Sequence, residues 1–338
     1  MNERKKFFEF VIPSVLAFTL SGVYTIVDGL FIGQSLGDRG LASINLGYPI
    51  TAVIQASGTG IGLSGAIRFT ILNAKRKERE QEECFGGSIL LMLLASGLIS
   101  ALLLSLLDPL LRLLGAGGEI LLLTAAYIRI IALGAVFQLL ATGLVPFIRN
   151  MGSAAFAMGT MMAGFAINIV LDYFFIIANN WSMAGAAWAT TIGQAATMMA
   201  AVIFLATKKI RISLPPIPEL PGLWGNILKV SIAPFGVTFT PVLAVMLMNR
   251  FLLQYGSEVS IAAYGCISYA VSMIYLFLQG IGDGSQPLIS QYYGENNIER
   301  MKQIRTLAYR SASALTAICV IVLFLSRNCI GLLFGTSL

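Results

Sequence analysis

Histidine is absent from these 338 residues, and charge is scarce: 22 Lys and Arg with 16 Asp and Glu make up only 11% of the chain. Without histidine the sequence lacks the usual metal ligand and the usual general base near neutral pH. The four cysteines, Cys84, Cys266, Cys319 and Cys329, show no metal-binding or redox spacing and read as small apolar filler. A magnesium-dependent membrane enzyme, such as a prenyl-group transferase, would need clustered acids, and a metallohydrolase would need a His/Glu set. Neither pattern is present, so no catalytic residue, no enzyme activity and no cofactor are expected.

What the chain has in quantity is apolar length. It is 57% hydrophobic, with a mean hydropathy of +0.82, more than a soluble fold of this length could bury. Runs of 20 or more apolar residues recur, each long enough to cross a bilayer core of about 30 Å. Spans are predicted near 10–35, 41–67, 86–107, 120–145, 152–178, 183–206, 226–253, 260–290 and 306–326. In lipid the backbone must satisfy its own hydrogen bonds, which long unbroken apolar runs do as helices and not as barrel strands. The expected fold class is an all-α integral membrane protein. The first span carries Asp28 and is read as part of the fold, not as a cleaved leader.

The net charge of +6 does not point to nucleic acid, because of where it lies. Arg4, Lys5 and Lys6, then Lys75, Arg76, Lys77 and Arg79, then Lys208, Lys209, Arg211 and Lys229, then Arg300, Lys302, Arg305 and Arg310 fall in alternate loops. The other loops hold only Arg39, Arg112 and Arg327. Basic loops stay in the cytoplasm, so this pattern predicts a multi-pass plasma (inner) membrane protein with a cytoplasmic N-terminus. The membrane lipid is the expected surrounding, a monomer the expected state, and no nucleic-acid partner is expected.

The sequence also repeats itself about 220 residues along. Gly60-Ile61-Gly62 returns as Gly280-Ile281-Gly282, and Leu113-Leu114-Gly115 as Leu333-Phe334-Gly335. Ile12-Pro13 returns one residue out of step as Ala233-Pro234. Between the copies, Thr207–Gly222 breaks the apolar pattern with Pro215, Pro216, Pro218 and Pro221, which predicts an extended strap. The reading is an N-lobe at 1–206 with spans one to six, a linker at 207–224, and a partial C-lobe at 225–338 with spans seven to nine. Six spans are an even number, so both lobes begin on the same side and the repeat is parallel; the second copy is incomplete, with about nine of twelve helices present.

A carboxylate within a membrane helix is costly and marks a functional site by default. Asp28 lies about two-thirds along span one, and Asp172 near the far end of span five, one helical turn after Asn168. Tyr127 falls early in span four and Thr190 early in span six, both of which run the opposite way. Asp28, Tyr127, Asn168, Asp172 and Thr190 are thus expected at one level of one lobe. Their oxygens suit a hard cation such as sodium, for which Asp28, Asn168 and Asp172 would be the ligands, or a shared proton. The alternative is that the acids pair with a neighbour such as Arg129 or face water. Gln34, Gln279 and Asp283 are candidates for lining a substrate cavity.

Several strings carry a resemblance. Val27-Asp28-Gly29-Leu30-Phe31-Ile32-Gly33 resembles the first-helix motif of the multidrug and toxin extrusion (MATE) transporters. Arg149-Asn150-Met151-Gly152, Asn168 and Leu171-Asp172 resemble their fifth helix, Gly185-Ala186-Ala187-Trp188-Ala189-Thr190 their sixth, and Gln286-Pro287-Leu288-Ile289-Ser290 with Tyr293-Gly294 their eighth. The resemblance implies a two-lobed, twelve-helix antiporter that exports cationic or amphipathic small molecules in exchange for H+ or Na+, with Asp28, Asn168 and Asp172 as the core of its cation site. Helices ten to twelve have no counterpart here. A lipid-linked oligosaccharide flippase of the same superfamily is the alternative. Flippases tend to carry a strongly cationic central cavity, whereas the intramembrane ionisable groups here are mainly acids.

Overall fold

The computed structural model describes residues 3–208, 210–256 and 258–333, and among them the chain forms nine α-helices and no strand. The side chains of Cys266 and Cys329, and residues Phe334 and Gly335, lie outside what is described. The first helix, α1 (Glu3–Ala74), has 72 residues. At about 1.5 Å per residue a straight helix of that length would reach more than three times across a bilayer core. It is broken at Gly37, with φ 59° and ψ −150°, a conformation open to a residue without Cβ. The first two predicted spans are the two arms of α1 on either side of this glycine.

α2 (Glu78–Leu113) follows, then α3 (Gly118–Leu133) and α4 (Ala135–Asn150), α5 (Ala154–Asp172), α6 (Ser182–Thr207), α7 (Leu220–Tyr255), α8 (Glu258–Gly294) and α9 (Ile298–Leu333). The fourth predicted span is therefore not one straight rod: α3 and α4 meet at a 58° bend. Gly134 sits at the corner, pressed so closely on α6 that a Cβ there would lie 2.4 Å from the Thr191 methyl. Among the described residues six helices are long and apolar enough to cross a membrane, or seven with α3 and α4 taken as one span.

The predicted strap is shorter than its prolines suggest. Residues 210–216 have no regular structure, Ile217–Glu219 make a 3₁₀ turn, and α7 takes Pro221 into its first turn, where no backbone N–H is needed. The strap is clamped to α2. The backbone of Ser213 lies over Gly86, and the Trp224 indole Nε1 donates to the Gly87 carbonyl at 3.0 Å. Trp224→Phe removes one hydrogen bond, about 1 kcal/mol, and should lower the thermal midpoint in detergent by a few degrees without changing the helix content read by circular dichroism.

Two apolar cores are present. The larger joins α1 to α6 through residues such as Ile54, Met92, Ile128, Leu139, Phe147 and Ala186. The smaller joins the start of α1 to α8 and α9 through Phe7, Val11, Ile281, Leu288, Tyr292 and Ile304. Small residues set the approach between helices, because lipid supplies no hydrophobic drive to associate. Gly60 of α1 faces Ser231 and Phe235 of α7, and its repeat partner Gly280 of α8 faces Val15 of α1. The matching glycines thus meet matching places on the other copy, as a parallel repeat requires.

Candidate functional site

Asp28 and Asp172 are buried, at 6% and 0% exposure, and their carboxyl groups lie close enough to act on each other directly. Asp28 is carried by the first arm of α1. Asp172 ends α5, and one turn before it Asn168 is buried on the same face. The backbone then passes into a π-helical turn, Tyr173–Ala178. Such wide turns recur at functional positions because they re-aim the side chains around them. Tyr127, from α3, is buried beside the two acids, on the side of Thr190 of α6. Four helices thus bring the five predicted residues into one cluster.

The cluster is polar and buried. One Asp28 oxygen, both Asp172 oxygens, both Asn168 amide atoms and the hydroxyls of Thr190 and Thr191 are buried without a hydrogen-bond partner among the described residues. Each such group costs about 1–3 kcal/mol when left unpaired. The donor set is made of carboxylate, amide and hydroxyl oxygens, which is chemistry for a hard cation or for protons moving between carboxylates. No group of three His, Cys, Asp or Glu side chains gathers anywhere among the described residues, this cluster of two acids included. Arg129 is not the acids' partner: it pairs with Asp108 at 3.8 Å, both side chains being more than half exposed.

Sequence reasoning passed over two residues here. Tyr24, one turn before Asp28, stacks on Phe165 of α5 with ring centroids 4.9 Å apart and planes 7° from parallel. Together they wall a narrow cleft lined also by Asn168, Thr190, Gln194 and Thr197. The four-residue spacing from Tyr24 to Asp28 was the available signal. The second is Arg149, which sits in a motif string but had no role; it pairs with Asp283 at 3.2 Å. Asp283 thus stands between α4 and α8 and away from the Asp28–Asp172 cluster. Gln279 lies half-buried one turn earlier on α8, and Gln34 is exposed near the Gly37 break. No described contact joins Gln34 or Gln279 to the acids.

With the geometry in view, the comparisons with known proteins are specific. The MatE family model matches residues 13–174 and 235–338. The multidrug export protein MepA of Staphylococcus saprophyticus is 30% identical over 328 residues, which is 95% of this chain and 71% of that protein. MepA of Staphylococcus haemolyticus is 28% identical over 335 residues, 98% of this chain and 74% of that one. Among solved structures, a crystal structure of a MATE protein in the bent conformation superposes with a TM-score of 0.87 at 24% identity, covering 99% of this chain and 75% of that one. The outward-facing conformation of a multidrug resistance MATE family transporter of the MOP superfamily does so with a TM-score of 0.87 at 23% identity, over 99% and 74%. The match over most of the sequence, with the same helical architecture, means that this chain belongs to the MATE family.

Proposed function

We propose that the chain is the transporting body of a secondary antiporter that moves cationic or amphipathic small molecules out of the cell against an inward flow of protons or sodium ions. The paired buried carboxylates, Asp28 and Asp172, carry this reading. Two like charges in a buried pocket repel strongly unless a cation or a proton sits between them. Occupancy of the pair therefore changes which arrangement of α1 and α5 is favoured, and a site that switches preference with occupancy can couple two flows. Tyr24 and Phe165 lie stacked on each other beside those acids, over a cleft of about 10 Å³, so an organic cation would find their faces only where the rings part. The relatives named as multidrug export proteins support this substrate class. A flippase for anionic lipid-linked sugars would call for unpaired basic groups around its cavity, and the groups clustered here are acids.

The basic loops orient the chain with its N-terminus in the cytoplasm. The contacts of the first α1 arm with α8 run from Glu3 to Gly22, so the helices are gathered at the cytoplasmic side, which fits an outward-facing arrangement. The reading is tested with the chain in proteoliposomes placed in an ethidium solution. A proton or sodium gradient imposed in the coupling direction should drive the dye across several-fold faster than no gradient. Equal rates with and without both gradients would refute antiport.

A further inference from the structure

Arg149 closes α4, and Asp283 lies about two-thirds along α8, so their ion pair joins the first six spans to the last three. Nη1 and Oδ2 are 3.2 Å apart, with the side chains 5% and 16% exposed. We infer that this pair is the lock that holds the basic-loop ends of the two helix groups together, and that opening on that side requires the pair to part.

The surroundings argue for a lock and against a simple brace. The seam around the pair is backbone on backbone. A Cβ on Gly280 would lie 2.5 Å from the Val15 Cα, and one on Gly284 2.7 Å from the Val11 Cα. Farther along the same seam Phe7, Ile281, Leu288 and Tyr292 close a small apolar core between α1 and α8, so parting the two surfaces also opens that core. The polar atoms of the seam are poorly satisfied while it is shut. Both amide atoms of Asn150, next to Arg149, and the Gln286 Oε1, on the same face of α8 as Asp283, lack partners. Water entering an opened seam would hydrate all of them, which keeps the closed form from being a deep trap.

A buried ion pair is a weak source of net stability, because desolvation offsets most of the attraction. What it does enforce is register: neither charge can stay dry without the other, so the seam is either shut with the pair made or open with both groups wet. At the rim a second contact is more exposed. The Tyr292 hydroxyl donates to Glu3 at 2.5 Å, and Arg300 stands 3.7 Å from Glu3 with its side chain 54% exposed. The Arg300–Glu3 contact is open to solvent on its arginine side, so it is screened and contributes little; Tyr292 is itself buried, and its bond to Glu3 reinforces the Arg149–Asp283 pair.

The test uses the full chain with Ser14→Cys as a reporter. Ser14 is 4% exposed, with its Cβ against Gly284 across the seam. Native Cys84, 1% exposed within the first six spans, reports unfolding in the same sample. Maleimide labelling is followed residue by residue by mass spectrometry. Asp283→Asn should raise labelling of the introduced cysteine by about tenfold, a shift of the open population by that factor, while Cys84 stays protected. The charge exchange Arg149→Asp with Asp283→Arg should return the rate to near the starting value. The inference is overturned if labelling of the introduced cysteine is unchanged in Asp283→Asn, if Cys84 labels in parallel, or if the exchange leaves the rate high. Dye transport does not enter this measurement, so a failed antiport assay would leave its outcome intact.

Discussion

Asp172→Asn brings dye accumulation by proteoliposomes down to the level of empty vesicles, and Asp28→Asn does the same. Each replacement keeps the size of the side chain and removes its charge, so the helices around it can stay in place. What disappears is the pairing of two acids that a cation must resolve. A one-for-one exchange of two monovalent cations moves no net charge, so the drive is the gradient of the coupling ion: each tenfold step supplies about 1.4 kcal/mol and sustains about a tenfold gradient of dye. Without a coupled ion the ratio should relax to that of empty vesicles under the same gradient. Asp108→Asn serves as the control, because that acid sits in an exposed pair with Arg129 and should leave accumulation unchanged. Accumulation above half the unsubstituted value in both site variants would end the case for this cluster.

Gly62→Ala should cost about 3 kcal/mol or more of stability, read as a large fall in the thermal midpoint by fluorescence-detected gel filtration. A Cβ on Gly62 would lie 2.2 Å from the Cα and 2.3 Å from the carbonyl oxygen of Gly143. Both are backbone atoms, so no side chain can rotate away. α1 and α4 would have to part, and with them the neighbouring contacts of the larger core. Overpacking a buried site by one methyl ordinarily costs about 1–3 kcal/mol when side chains can shift, and here they cannot. Gly97→Ala is the contrast. Nothing lies within 4 Å of its Cβ position, and alanine favours a helix interior over glycine by up to about 1 kcal/mol. A midpoint for Gly62→Ala equal to that of Gly97→Ala would show that the α1–α4 contact is looser than described.

The parts of this molecule that were legible in its sequence are those that lipid dictates. Long apolar runs must be helices, so the helical architecture followed from composition. Acids inside such runs must have a reason, so Asp28 and Asp172 stood out, and spacing placed Asn168 on the same face as Asp172. What depends on approach between distant segments was not legible. Gly134 reads like any small residue until α6 presses Thr191 against it and the span bends. Arg149 reads as one of many basic residues at a loop until α8 brings Asp283 to it. Tyr24 is one of 11 tyrosines, and its place beside the acids is fixed by its stacking on Phe165, a contact across two helices. The repeat was legible in order and not in detail, because two glycine-rich motifs in an apolar chain do not reveal which helix each will touch.

The tie between Trp224 and the Gly87 carbonyl has a mechanical consequence. It moors the near end of α7 to α2, so the segment before Trp224 cannot serve as a swivel. Any swing of α7–α9 against the other helices has to be absorbed farther along α7, where Pro234 and Pro241 already interrupt the ladder of backbone bonds. The carbonyl that Pro241 leaves unclaimed, that of Val237, is taken up by the Tyr275 hydroxyl of α8. The flexing point of α7 is therefore held by its neighbour, and α7 and α8 would travel as a pair.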